Sequence, residues 1–160
     1  MSEPSEDAAP LALQDRYWPE GVCFGCGPAN ARGLRLKSYV QGDSLVASFM
    51  PEEHQQAFPG MLNGGIIGAL LDCHSNWTAA YTLMLARAVP APPCTVTADF
   101  HVKLRAPTPL GPVQLLARAV STAGDRCTVD AELSAGGKVT ATCRGTFVAV
   151  KPGHPAYHRW

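Results

Sequence analysis

The chain has 160 residues, 46% of them hydrophobic, with thirteen basic and thirteen acidic side chains and a formal net charge of zero. That length suits one domain with a substantial core, and the charge balance supplies no overall field to draw nucleic acid or an anionic membrane. No apolar run approaches the roughly 20 residues a membrane-spanning helix needs, so neither a nucleic-acid nor a membrane partner is expected.

Residues 1–15, MSEPSEDAAPLALQD, are acidic and without periodicity, and read as a mobile leader that adds little to the core. Four acidic residues precede the first basic one, Arg16, the wrong charge for a secretory or organellar targeting segment; a cytoplasmic location is expected. The domain proper spans 16–150, and the Pro-containing tail 151–160 is expected on the surface. The segment from Arg16 to Leu34 gathers aromatics and glycines as an ordered loop. Its Cys23-Phe24-Gly25-Cys26 has metal-ligand spacing, but zinc takes four ligands and no second such pair follows, so no metal and no cofactor is expected. The six cysteines suit reduced thiols in a cytoplasmic chain, with Cys127 and Cys143 in register with core-facing positions.

Two extended runs, Gly33 to Val40 and Ser44 to Met50, joined through Gln41-Gly42-Asp43, predict a hairpin. A polar loop carrying His54, Gln55 and Gln56 then delivers the chain through Phe58-Pro59-Gly60 to Asn63, a good N-cap. From there apolar residues at helical spacing predict one long helix to about Arg87, stopped by Pro90, Pro92 and Pro93. Beyond the prolines the period changes to two. Val96, Ala98, Phe100, Val102 and Leu104 alternate with polar residues, and three more strands follow, separated by turns at Gly111-Pro112, Gly124-Asp125 and Gly136-Gly137. One long helix and about six antiparallel strands make an α+β domain in which the sheet wraps the helix. Such a sheet keeps open edges, and edge pairing with a second copy predicts a homodimer.

Two features of the helix point to chemistry. Asp72 interrupts an apolar run, where a carboxylate is costly unless paired or used. At the helix start, the N–H groups of Gly64 and Gly65 lack intrahelical acceptors and side chains, and form an anion site suited to a developing oxyanion. Eight residues separate Gly64 from Asp72, roughly 12 Å along the axis, so one helix does not bring both to one carbon, whereas two antiparallel helices from two subunits do. Asn76 and Ser75 fall near Asp72 by helical spacing and either orient it or touch substrate. His74 points away and reads as a bonded core or interface histidine. His54, Gln55 or Gln56 either positions water or belongs to a polar surface, and Lys103 and Arg105 either meet phosphates or form a solvated face. Trp77, Tyr81 and Phe58 are groove-lining candidates.

The run Asn63-Gly64-Gly65-Ile66-Ile67-Gly68-Ala69-Leu70-Leu71-Asp72 resembles the His-Gly-Gly, apolar, then Asp or Glu motif of hotdog-fold acyl-CoA thioesterases of the 4-hydroxybenzoyl-CoA and phenylacetate-pathway branch. The HQQAFPG loop, the CxxCGxxNxxGL lead-in and VKLRAPTPLG extend the likeness over roughly Cys23 to Val150. The resemblance implies a hotdog fold and hydrolysis of an acyl-CoA thioester, with coenzyme A as part of the substrate and its phosphates as those that Lys103 and Arg105 would meet. It implies Gly64 as oxyanion donor, Asp72 of the partner subunit as nucleophile or general base, and a homodimer that in lookalikes often pairs into a homotetramer. Asn63 stands where the family usually has histidine, which removes a group that titrates near neutrality. Asn63 and Gly65 are then substrate-side candidates. The alternatives are a hotdog hydratase or dehydratase, which needs a histidine paired with a carboxylate, and a non-catalytic acyl-CoA binder, which needs no Asp72.

Overall fold

In the computed structural model, which describes residues 9–160, the chain is organised around helix α2, Gly64–Arg87, 24 residues long. Its start follows from Asn63, whose Oδ1 accepts from the N–H groups of Gly65 at 2.8 Å and Ile66 at 3.2 Å. Its end follows from Ala88, which takes a left-handed conformation with φ 52° ahead of the prolines. No helix among the described residues is long and apolar enough to cross a membrane.

Six antiparallel strands form one sheet in the order β1 (Tyr39–Gln41), β2 (Ser44–Phe49), β6 (Val113–Ala123), β7 (Arg126–Ala135), β8 (Lys138–Ala149), β5 (Thr95–Leu104). A separate two-stranded ribbon, β3 (Gln56–Phe58) with β4 (Met61–Leu62), turns at Phe58-Pro59-Gly60 just before α2. Alternating residues of β6 to β8, among them Val113, Leu115, Val129, Leu133 and Phe147, are buried in one cluster with Ile67, Leu70, Leu71, Trp77 and Leu83 of α2. Leu70 is wholly enclosed, and truncating such a leucine to alanine costs about 2–5 kcal/mol. The expected α+β architecture of one helix on a six-stranded sheet is therefore observed, with Cys127 and Cys143 facing the core as the period-two pattern requires.

Four details differ from the sequence expectation. The leader is not inert from Ala12 onward: α1 (Leu13–Tyr17) buries Ala12, Leu13 and Gln14, while residues 1–8 lie outside the described region. The first strand is regular only at Tyr39–Gln41. Upstream of it, Leu34 and Leu36 are buried in extended chain whose N–H groups bond to Phe24 and Gly25 of the cysteine loop rather than to a strand. The tail is anchored, with Trp160 stacked on Trp77 at 4.9 Å between ring centroids and its indole N–H donated to the Pro92 carbonyl.

The fourth difference lies in β5. The expected inward set was all even-numbered, but Thr95 is buried and Thr97 reaches α2, and the ladder to β8 slips between Thr97 and Asp99. That bulge inserts one residue and exchanges the two faces. Beyond it Val102 packs on the core and Leu104 lies beside α2, as alternation predicted, while Asp99, His101 and Lys103 face outward. As the last strand of the sheet, β5 leaves Phe100 44% and Leu104 58% exposed.

Candidate active site

Asp72 sits in the third turn of α2, where the helix passes β5. Its Oδ1 accepts from Thr97 Oγ1 at 2.7 Å. Burial raises the carboxyl above the ordinary aspartate range; the Thr97 hydrogen bond opposes this, and negative charge on Cys23 adds to the rise. A carboxylate made more basic by partial desolvation is better matched to accepting a proton near neutrality. Thr97 has no place among the sequence candidates because simple alternation puts it on the solvent face; only the bulge turns it to the helix.

At the helix start the Asn63 cap divides the two glycines. The Gly65 N–H, expected to be open, donates to Asn63 Oδ1, whereas the cap leaves the Gly64 N–H unused. A Cβ added at Gly64 would lie 3.0 Å from Leu104 Cδ1, so this end of the helix meets the far end of β5. Between the two lies Gly68, with open space where a Cβ would project. Gly64, Gly68 and Asp72 are spaced by four residues and share one stripe of the helix. No side chain stands on that stripe between the N–H and the carboxylate.

The remaining candidates separate. Gln56 Oε1 accepts from the Gly60 N–H at 3.0 Å within the β3–β4 ribbon, and His54 is exposed beside Glu52 at 3.4 Å, so both are engaged in shaping the pre-helix loop. The Asn76 side chain is directed to the Thr95 carbonyl at 3.5 Å, one helical turn beyond Asp72. Ser75 is wholly buried, and its hydroxyl has no hydrogen-bond partner among the described residues. Lys103 and Arg105 line a groove of about 830 Å³ on the outer face of the sheet, with Arg118, Asp130, Glu132 and Arg144, away from the helix. Neither Asp72 nor Gly64 lines this charged groove. Trp77 is enclosed in the core rather than lining a groove, Tyr81 is half-buried, and Phe58 is exposed.

His74 is the buried, bonded histidine expected. Its Nε2 lies 2.9 Å from the Leu45 carbonyl, which only accepts, so the proton resides on Nε2. Nδ1 then accepts from Ser38 Oγ at 2.8 Å, and Ser38 Oγ in turn accepts from Gln14 Nε2 at 3.0 Å. Burial pushes the imidazole down to about 4. A neutral ring with both nitrogens committed supplies no acid or base to Asp72.

Cys73, the residue after Asp72, points into the loop of Cys23 and Cys26. The three sulfurs lie within 4.8 Å of one another, with Cys23 and Cys73 3.7 Å apart. Cys73, fifty residues downstream, adds a third thiol to the pair, and only the tertiary fold brings it there.

No protein-family model matches the chain, and no curated protein matches it. Solved structures do. The crystal structure of a thioesterase superfamily protein from Shewanella loihica PV-4 superposes with a TM-score of 0.64 at 30% identity, covering 78% of this chain and 98% of that one. The chain belongs to the thioesterase superfamily. Its hotdog fold is shared at lower identity by a phenylacetic acid degradation-related protein from Ralstonia eutropha JMP134 (22%, TM-score 0.63, covering 76% of this chain and 89% of that one). Thioesterase superfamily member 2 from zebra fish shares it too (18%, TM-score 0.62, covering 76% and 90%). Membership in the superfamily gives thioester hydrolysis as the general chemistry against which Asp72 and the Gly64 N–H are to be read.

Proposed function

We propose that the chain hydrolyses an acyl-CoA thioester in a site shared between two copies, with the Gly64 N–H of one and Asp72 of the other acting on the same carbonyl. The observation that carries this is that both groups abut the edge strand β5, at opposite ends: Asp72 at Thr97 and Gly64 at Leu104. If two copies pair β5 to β5, antiparallel, about a two-fold midway between Thr97 and Leu104, near Phe100 and His101, each Thr97 falls opposite Leu104 of the partner subunit. Asp72 then approaches the N-terminus of the partner helix. The same pairing covers Phe100 and Leu104, whose exposure is otherwise unfavourable, and gives the open stripe at Gly68 an occupant.

The chemistry follows from those groups. Asp72 takes a proton from water as the oxygen bonds to the thioester carbon, or attacks that carbon itself. Negative charge collects on the carbonyl oxygen, where the Gly64 N–H and the positive end of α2 stabilise it. The C–S bond breaks and the sulfur leaves as thiolate; on the general-base route it takes the proton held by Asp72, and on the nucleophilic route water hydrolyses the acyl-Asp72 anhydride, which frees the carboxylate and supplies the thiol proton. His74, neutral and bonded on both sides, does not supply the histidine that a hydratase or dehydratase requires. Six free thiols suit a reducing compartment, and we assign the enzyme to the cytoplasm.

Thiol release measured across short, long and aromatic acyl-CoAs tests the activity and its acyl class; no release from any would overturn it. Shared sites are tested by mixing Asp72→Asn chains with Gly64→Val chains. Each homodimer should be inactive, while a purified heterodimer carries one intact site and should recover up to about half of wild-type turnover. Folded heterodimers that stay inactive would refute catalysis between subunits.

A further inference from the structure

The cysteine cluster behind Asp72 has a construction that thioester hydrolysis does not use. Its parts are assembled closely. The Gly27 N–H donates to the Cys23 carbonyl at 2.8 Å, closing the Cys23-Phe24-Gly25-Cys26 turn. Gly25 permits that turn to lie on α2, since a Cβ there would run into Cys73 Sγ, and a Cβ at Gly27 would fall 2.5 Å from the Cys23 nitrogen.

A donor is aimed at the cluster: Trp77 Nε1–H points at Cys26 Sγ at 3.4 Å. An N–H donated to sulfur stabilises thiolate, the form that binds metal.

Spacing discriminates further. Two thiolates bound to one tetrahedral zinc at about 2.3 Å lie about 3.8 Å apart, and Cys23 and Cys73 are separated by 3.7 Å. A disulfide would need these sulfurs at about 2.05 Å.

We propose that Cys23, Cys26 and Cys73 form a binding site for Zn(II), held by three thiolates, with a solvent molecule in the fourth position on the side left open at half-buried Cys23. Cation and three thiolates together carry one negative charge. This reading is independent of the hydrolytic one, because the ligand set is complete within one chain and includes neither Asp72 nor Gly64.

The test uses the full chain purified without a polyhistidine tag under a phosphine reductant. Zinc content should be about one equivalent per chain, and exchange for Co(II) should produce thiolate-to-cobalt charge-transfer absorption with intense visible bands of a tetrahedral site. Cys23→Ser and Cys73→Ser should each abolish those bands, whereas Cys94→Ala should retain them. Because a cysteine variant can fail to fold, alkylation of the wild-type chain followed by mass mapping supplies a second readout: zinc should protect Cys23, Cys26 and Cys73 together. Folded wild type that gives no cobalt bands, or equal alkylation of the three with and without zinc, overturns the proposal, as does metal retained by both folded serine variants.

Discussion

Acidification should unfold this protein through His74. The imidazole is 0% exposed, its Nε2–H is donated to Leu45, and Nδ1 accepts from Ser38, so a second proton buries a charge and stops the Ser38 hydroxyl donating to the ring. In the unfolded chain it titrates near 6.5, and in the folded chain near about 4. A histidine lowered on folding binds its proton better when unfolded, so its stabilising contribution is complete above the unfolded value and is lost as pH falls towards the folded one. With 1.36 kcal/mol for each pH unit of difference, the loss is roughly 2 kcal/mol by about pH 5 and about 3 kcal/mol by about pH 4. Asp72, raised on folding, acts in the opposite sense and offsets part of this at the acid end. Asp130, held below the usual range by Arg144, withdraws its contribution only at lower pH. Urea unfolding at a fixed protein concentration, at about pH 7.5 and about pH 5, should show a midpoint lower by about 1 M at the acid pH, for a slope near 2 kcal/mol/M. His74→Gln should be less stable throughout, with a flatter pH dependence. An unchanged midpoint in wild type, or the same acid loss in folded His74→Gln, would refute the assignment; so would a ring resonance that titrates near 6.5.

Two further predictions concern the active stripe. Because burial raises Asp72 and Thr97 opposes the rise, kcat/KM should fall with acid at a pH above the ordinary carboxylate range. Thr97→Val should move that limb higher still with the fold retained, and an unmoved limb would show that Asp72 is not the titrating base. Gly68→Ala should stabilise the helix by roughly 0.5–1 kcal/mol, since a Cβ there meets nothing within 4 Å of the same chain, yet lower turnover by intruding on the stripe between Gly64 and the partner's approach. Thermal unfolding and thiol-release assays read the two effects separately, and a stabilised variant of unchanged turnover would remove Gly68 from the site.

What the sequence revealed and what it withheld divide along physical lines. The bounds of α2 were readable because each signal is local: a cap at its start, a 3.6-residue period along it and a proline stop just beyond its end. Strands β6 to β8 were readable because glycine turns separate regular alternations. Asp72 was conspicuous because a carboxylate in an apolar run has to be explained. The bulge in β5 carries no glycine or proline to mark it, so the inward turn of Thr97 was hidden, and with it the hydrogen bond to Asp72. Asn63 was recognised as a cap, but capping also removes the Gly65 N–H from the donors, a consequence visible only once the acceptor geometry is known. Cys73 counted only as one of six reduced thiols, because nothing local ties it to residues fifty earlier. Trp160 likewise finds Trp77 through the fold alone.

Three consecutive residues of α2 engage three different parts of the molecule, and this bears on how Asp72 is held. Each step along a helix turns about 100°, so Asp72 faces β5, Cys73 faces the loop of Cys23 and Cys26, and His74 faces Ser38 and Leu45. One turn later Trp77 joins Cys26 to the aromatic ring of Trp160. The neighbours of the carboxylate are thereby fixed on both sides by buried polar contacts, and rotation or sliding of this turn would break the His74 bonds and the cysteine cluster together. Asp72 has, by contrast, one hydrogen-bonding partner among the described residues, a threonine hydroxyl on an edge strand. A rigid backbone carrying a lightly tethered carboxylate is suited to a proton acceptor, which has to hold its position while its own hydrogen bonds change through the reaction.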